Sequence, residues 1–272
     1  AGRDVPVIGL GTWNMERDPG PDAIRSIHRA LELGMTHVDT AEMYGSGKVE
    51  ELVGRALAGK RDGAFLVTKV LPSNATRDGV LRACERSLMR MRTDWIDLYL
   101  LHWRGDVPLD ETFRAFEELK AAGKIRAWGV SNFDSADLTE AAGLVGAQAI
   151  ACNQVLYHLG ERTIEYDVIP WCEKHGVPVV AYSPLGQGDF PDDDSKEGEI
   201  LAGIAKAYGA TVRQVALAYL TRRESLFAIP KAAKIAHVEE DAGAGDLVLD
   251  EGAIAAIDGA FPRGTWRGLP TT

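Results

Sequence analysis

Residues 36–46 read THVDTAEMYGS. The first five centre on Val38 between two β-branched threonines, the pattern of a short strand, and the polar stretch after Thr40 reads as a loop. Upstream, residues 22–33 carry helical periodicity and stop at Gly34; downstream, residues 48–57 do the same and are followed by Gly59. A glycine just past a helix adopts the left-handed conformation without a Cβ clash, so both glycines mark helix ends. The stretch is one strand set between two helices, and the unit recurs in both directions. Further strands are expected at residues 7–10, 65–69, 96–102, 125–131, 149–153, 177–182 and 227–229. Helices fall at residues 77–91, 110–122 and 169–175, the last two closed by Gly123 and Gly176. Thr211 with Gln214 three residues on forms a capping box for an extra helix, 212–221, whose Val212, Val215, Ala216, Tyr219 and Leu220 share one face. Asp250 caps a last helix through residue 260, leaving a tail that carries Trp266 and Arg267. Eight strands alternating with helices predict an α/β chain, a (β/α)8 TIM barrel over residues 1–272 as one domain, with extra helices near the C-terminus.

With 46% hydrophobic and 26% charged residues, the chain can bury one large core and shows no disorder signature. The 30 Lys and Arg against 40 Asp and Glu leave a formal charge of −10, which repels nucleic acid and anionic membrane surfaces; neither is an expected partner. No run approaches the roughly 18 apolar residues of a membrane span. The opening AGRDVPVIGLG lacks the order of a leader, so a cytoplasmic chain is expected. Cys84, Cys152 and Cys172 are odd in number and without C-x-x-C spacing, which reads as free thiols in a reducing compartment. A monomer is the default, the sequence being silent on oligomeric state.

Neither common nucleotide motif is present. Gly9 and Gly11 form an isolated G-x-G, with Asn14 where the dinucleotide fingerprint needs its third glycine and Arg17, Asp18 and Pro19 interrupting the helix that should follow. Gly47-Lys48 has the look of a phosphate-loop end, but Glu42 replaces its first glycine and Val49 its metal-binding hydroxyl. His28, His37, His102, His158, His175 and His237 lie on separate elements, so no metal centre is expected. The acidic run at residues 190–199, with Asp192, Asp193 and Asp194, reads as a solvated loop. His37 is expected to fill the barrel, His175 to offset a helix C-terminus, His158 to be structural and Cys152 to pack in the core.

What remains is a set of polar residues at the C-terminal ends of successive strands, the rim on which barrel active sites are built. Asp39 ends the second strand, Tyr44 follows five residues on, Lys69 ends the third in LVTKV, and His102 ends the fourth in IDLYLLHW. Singly, each has an ordinary reading: a turn-forming acid, a loop aromatic, a solvated lysine, a core imidazole. Four ordinary residues at four matched positions are a poor explanation.

The pattern resembles the aldo-keto reductase family. The resemblance covers nearly the whole chain, continuing through GKIRAWGVSNF at residues 123–133, NQVLYH at 153–158, AYSPLG at 181–186 and IPKA at 229–232. It implies a catalytic tetrad of Asp39, Tyr44, Lys69 and His102, and extended NADPH bound without a dinucleotide fingerprint. By the same resemblance Ser131, Asn132 and Gln154 meet the nicotinamide carboxamide, and Tyr182 stacks on the ring. Ser183 and Leu185 lie along the pyrophosphate, Lys231 meets the adenosine phosphate, and Gly11 and Thr12 complete the cofactor contacts. A carbonyl that receives hydride at carbon needs a proton at oxygen. A phenol with an ordinary pKa of about 10 donates poorly until a cation stabilises the phenolate. Tyr44 is then the acid, Lys69 that cation, Asp39 its anchor, and His102 a hydrogen-bond donor to the carbonyl.

The nucleotide end departs from the commonest family pattern, in which Ser follows the lysine and Arg, Glu and Asn come later. Here the positions hold Ala232, His237, Glu240 and Asp241. A phosphate hydroxyl and a bidentate cation are missing, so NADPH is expected with a weaker preference than usual and NADH as the lesser option, with Lys231 and Lys234 left to balance the phosphate. The spelling is most similar to a bacterial branch of methylglyoxal and aldehyde reductases. Trp13, Met43, Trp103 and Trp266 are candidate pocket walls, and short loops after Trp103 and Gly186 suit small 2-oxoaldehydes or aldoses. The alternatives are a sugar or polyol dehydrogenase running in the oxidative direction, and a nucleotide-binding regulatory subunit.

Overall fold

A computed structural model describes residues 4–271; residues 1–3 and 272, included in the expected domain, lie outside the described residues. Eight parallel strands run in sequence order: β1 (Leu10–Gly11), β2 (His37–Asp39), β3 (Phe65–Val70), β4 (Ile96–Leu101), β5 (Ile125–Ser131), β6 (Asn153–Leu156), β7 (Val179–Tyr182) and β8 (Leu226–Ala228). Bridges from Ile8 to Ala228 and from Gly11 to Lys231 join β8 back to β1 and close the barrel. The closure explains the isolated G-x-G. A Cβ on Gly11 would stand 2.6 Å from the Ile229 carbonyl, and one on Gly9 would stand 2.9 Å from His37, so both positions hold glycine to let backbones approach.

Helices α1 (Gly20–Glu32), α2 (Lys48–Ala56), α3 (Arg77–Met91), α4 (Leu109–Ala121), α5 (Ser135–Val145) and α6 (Val168–His175) each follow a strand. Between β7 and β8 lie two, α7 (Lys196–Tyr208) and α8 (Val212–Leu220), and α9 (Ile235–Ala242) and α10 (Glu251–Ala260) follow β8. The capping box at Thr211 and Gln214 forms as expected, and Asp250 accepts from the Ala253 N–H at 2.8 Å. Phe65, Val67, Leu98, Leu100, Cys152 and Val180 fill the barrel interior, while the larger core lies between strands and helices. His37 is buried in that interior edge-on to Phe65, and burial lowers its pKa to about 4.

Three differences from the sequence reading have local causes. The sixth strand is Asn153–Leu156, not residues 149–153. Its polar start is buried and paired inside the fold, with the Asn153 amide donating to the Phe133 carbonyl at 2.9 Å, and so carries no hydrophobic signal. The acidic run is only partly a loop: the Ser195 hydroxyl accepts from Gly198 N–H at 3.0 Å and starts α7, whose first turn then carries Glu197 and Glu199 at the positive end of the helix. Helix α5 opens on a capping box between Asp134 and Asp137, a signal disguised by aspartate in place of the usual Glu or Gln.

Candidate active site

The C-terminal rim of the barrel opens into a cavity of about 1210 Å³. Every strand except β3 contributes to it through its last residues or the loop after it, from Thr12 beyond β1 round to Lys231 beyond β8. Of the six non-glycine residues with positive φ among those described, Asn14, Asn132, Ser183 and Gln187 line this cavity. Backbone strain concentrated at one place marks a site whose loop shapes are held by their surroundings.

At the cavity floor, Asp39 and Lys69 have no exposed side-chain surface. The Lys69 ammonium donates to Asp39 Oδ1 at 2.5 Å, to the Thr40 carbonyl at 2.9 Å and, more weakly, to the Tyr44 hydroxyl at 3.4 Å. An ammonium has three donors, so all are assigned and the third is aimed at the phenol oxygen. The second Asp39 oxygen accepts from Gln154 Nε2 at 2.8 Å. Burial works most strongly against the Lys69 charge, yet the charge of Asp39, the Tyr44 oxygen and the hydrogen bonds to both together keep the lysine pKa above its ordinary value. Burial also raises the Tyr44 pKa, with the Lys69 charge acting in the opposite sense. The phenol is therefore protonated at rest, beside the cation that would stabilise its conjugate base.

Tyr44 reaches this place because the chain doubles back after β2. Gly45, Ser46 and Gly47 all have positive φ, and a Cβ at Gly45 would meet Glu16 at 2.8 Å. His102, directly after β4, lies edge-on to Tyr44 with ring centroids 6.0 Å apart. Burial, followed by the charge of Lys69, lowers its pKa to about 3. The imidazole is neutral, and its buried Nδ1 has no partner within the described residues. Asn132 ties the ends of β4, β5 and β7 together, donating to the His102 carbonyl at 3.1 Å and accepting from the Tyr182 hydroxyl at 3.0 Å.

The structure gathers Asp39, Tyr44, His102, Gly11, Thr12, Ser131, Asn132, Gln154, Tyr182, Ser183, Leu185 and Lys231 around one cavity, with Lys69 directly behind its floor. Trp13, Met43 and Trp103, each more than a third exposed, stand at its mouth. Trp266 does not line it. The buried Arg162 guanidinium donates to the Phe261 carbonyl at 2.5 Å and the Tyr166 hydroxyl to the Gly264 carbonyl at 3.1 Å. These bonds hold the start of the tail away from the cavity, and Trp266 lies in a separate depression with Tyr166 and Asp167. Leu269 and Thr271, further along the tail, reach the cavity instead, and neither is marked by any sequence signal. His237, Glu240 and Asp241 lie on α9 and do not line the cavity; Asp241 is buried, and burial raises its carboxyl pKa to about 7. Arg104, Phe190 and Arg213 are lining residues that the sequence reading passed over. The capping box that opens α8 was the available clue to Arg213, since it fixes where that helix begins.

The Aldo/keto reductase family model matches residues 7–261. The chain is 45% identical over 260 residues to the methylglyoxal reductase YeaE of Escherichia coli, covering 95% of this chain and 92% of that protein. It is 34% identical to the glyoxal reductase of Bacillus subtilis, over 94% of this chain and 89% of that one. A crystal structure of an aldo/keto reductase from Klebsiella pneumoniae in complex with NADP and acetate superposes with a TM-score of 0.93 at 45% identity, covering 98% of this chain and 96% of that chain. A buried lysine directed at a phenol on a barrel rim, the strand-end motifs and a match over nearly the whole length all agree: the chain belongs to the aldo/keto reductase family.

Proposed function

We propose that the protein reduces small aldehydes and ketones, with 2-oxoaldehydes such as methylglyoxal foremost, to alcohols at the expense of NADPH. The observation that carries this reading is the buried Asp39–Lys69 pair whose remaining ammonium donor meets the Tyr44 oxygen at 3.4 Å on the cavity floor. The residues present fit the nucleotide. Ser131, Asn132 and Gln154, Tyr182, Ser183 and Leu185, and Lys231 all line the one cavity, which therefore offers amide, hydroxyl and cationic groups to a ligand. The relatives named methylglyoxal and glyoxal reductases, and the Klebsiella structure holding NADP, support the same assignment.

NADPH, when bound, supplies the hydride. The residues of the chain manage the carbonyl oxygen. Neutral His102 offers an N–H that orients and polarises it, and Tyr44 donates the proton as negative charge develops there. Lys69 stabilises the phenolate so formed, and Asp39, steadied by Gln154, keeps the ammonium charged and in place. Such a positioned acid contributes on the order of a hundred- to ten-thousand-fold in rate. Trp13, Met43 and Trp103 form an apolar mouth suited to small, weakly polar substrates. In this reading the enzyme works in a reducing cytoplasm, in keeping with three buried free thiols, and as a monomer. The direct test follows NADPH absorbance with methylglyoxal, glyoxal, an aldose and a bulky ketone. Turnover strongest with the 2-oxoaldehydes supports the proposal, and no turnover with any carbonyl contradicts it.

A further inference from the structure

Among the described residues, three cationic side chains line the cavity: Arg104, Arg213 and Lys231. Two are already neutralised. Arg104 donates to Asp137 at 2.8 Å and to both Glu140 oxygens at 2.7 and 3.0 Å, and Lys231 donates to Asp18 at 2.7 Å. Arg213 has no ion pair among the described residues. It is half-buried in the first turn of α8, its guanidinium 5.9 Å from the centre of the Phe190 ring. Ser183, Gln187 and Gly188, from the segment that also carries Phe190, line the cavity as well. The adjacent Gln214 donates to the Glu240 carbonyl at 2.9 Å and so fastens the start of α8 to α9. Arg213 is thereby held beside the helix in which the common family pattern places its own arginine and this chain places His237. Its charge is felt there, drawing down the Asp241 pKa against the effect of burial.

A guanidinium held against a ring, facing a cavity and without an ion pair among the described residues is arranged to receive an anion, and its planar fork suits a phosphate. We propose that Arg213 binds the 2′-phosphate of NADPH, supplying from α8 the phosphate hydrogen bonds that Ala232 and His237 do not make, and thereby sets the preference for NADPH over NADH. This inference rests on the NADPH-dependent reading above. It replaces the weakened preference expected from residues 232 and 237 alone with a preference carried by another element.

The test is equilibrium binding without turnover, reading the quenching of the 6 tryptophans as NADPH or NADH is titrated into wild type, Arg213→Gln and Arg213→Lys. Removing a charged hydrogen bond to a phosphate weakens binding about tenfold to a hundredfold. Arg213→Gln should lose that much affinity for NADPH and little for NADH, and Arg213→Lys, which keeps the charge without the fork, should fall between. Retained NADH binding also shows that the variants are folded. Equal losses for both nucleotides would put Arg213 on the shared pyrophosphate and overturn the proposal, as would unchanged NADPH binding. If wild type bound neither nucleotide, the cofactor reading itself would fail, an outcome distinguishable from both.

Discussion

The two ends of the cavity are built on opposite principles. At the inner end, Asp39 and Lys69 are wholly buried, all three ammonium donors are assigned, and Gln154 satisfies the remaining carboxylate oxygen. At the outer end, Lys231 is exposed and held by a single pair to Asp18, and Arg213 has no ion pair among the described residues. A buried ion pair with complete hydrogen bonding is rigid and cannot lose a partner cheaply, which suits chemistry that needs one geometry. Partly exposed cations with one ion pair or none can take up a phosphate, which suits a group that must arrive and leave. On the proposed function, chemistry sits where the molecule is over-determined and cofactor selection where it is adjustable.

Removal of Lys69 should break this contrast most severely. Lys69→Met leaves Asp39 buried and uncompensated, and the expected loss is about 3–5 kcal/mol in urea-induced unfolding, together with loss of nearly all reductase activity. A change of less than about 1 kcal/mol would mean that the pair is not the anchor described. A second buried charge cluster sharpens the point. Arg162 pairs with Glu165 at 2.9 Å and with Asp258 at 2.5 Å, but Glu165 also has Arg222 and Arg263 within 3.4 and 3.0 Å. Arg162→Met should therefore cost less, about 1–3 kcal/mol. It should also raise KM, because the tail that carries Leu269 and Thr271 loses its tether. Unaltered KM in that variant would show that the tail needs no such anchor.

Protonation acts in opposite directions in two parts of the molecule. His37 and His102, at about 4 and 3, are neutral in the fold and take up protons on unfolding below the ordinary histidine value, so they remove stability as pH falls from about 6.5 toward 4. Asp241 acts in the opposite sense: its carboxyl stays protonated in the fold up to about 7, so it removes stability as pH rises from about 4 to 7. Asp241→Asn should consequently stabilise the protein at pH 8, by on the order of a few kcal/mol, and less at pH 5. Equal gains at both pH values, measured by denaturant unfolding, would contradict the burial argument. The smallest effect belongs to Trp266, which lies outside the cavity. Trp266→Phe should leave kcat and KM for small aldehydes unchanged, and a marked rise in KM would return it to the substrate pocket.

How far the sequence could be read follows the same division. The rim residues were legible because barrel topology turns strand ends into neighbours: Asp39, Lys69 and His102 are far apart in sequence yet adjacent once the strands are parallel and in order. The sixth strand was misplaced because Asn153 and Gln154, polar by composition, are buried and partnered. The pocket role of Trp266 failed for a different reason, since the path of a tail depends on tethers such as Arg162 to Phe261 that join residues 99 apart. Arg213 was overlooked because its significance lies in lacking an ion pair, and pairing is a property of space, with no sequence spacing to announce it.

The chemistry assigned to the rim depends above all on the proton given by Tyr44, and the measurement that tests it is a single-turnover reduction of methylglyoxal by Tyr44→Phe with NADPH already bound. The variant removes one oxygen atom and leaves the Asp39–Lys69 pair intact. NADPH affinity should match wild type while the rate of its oxidation falls on the order of a hundred- to ten-thousand-fold. A variant that binds NADPH normally and oxidises it at the wild-type rate would show that the proton comes from elsewhere, and the role drawn for this buried lysine would fall with it.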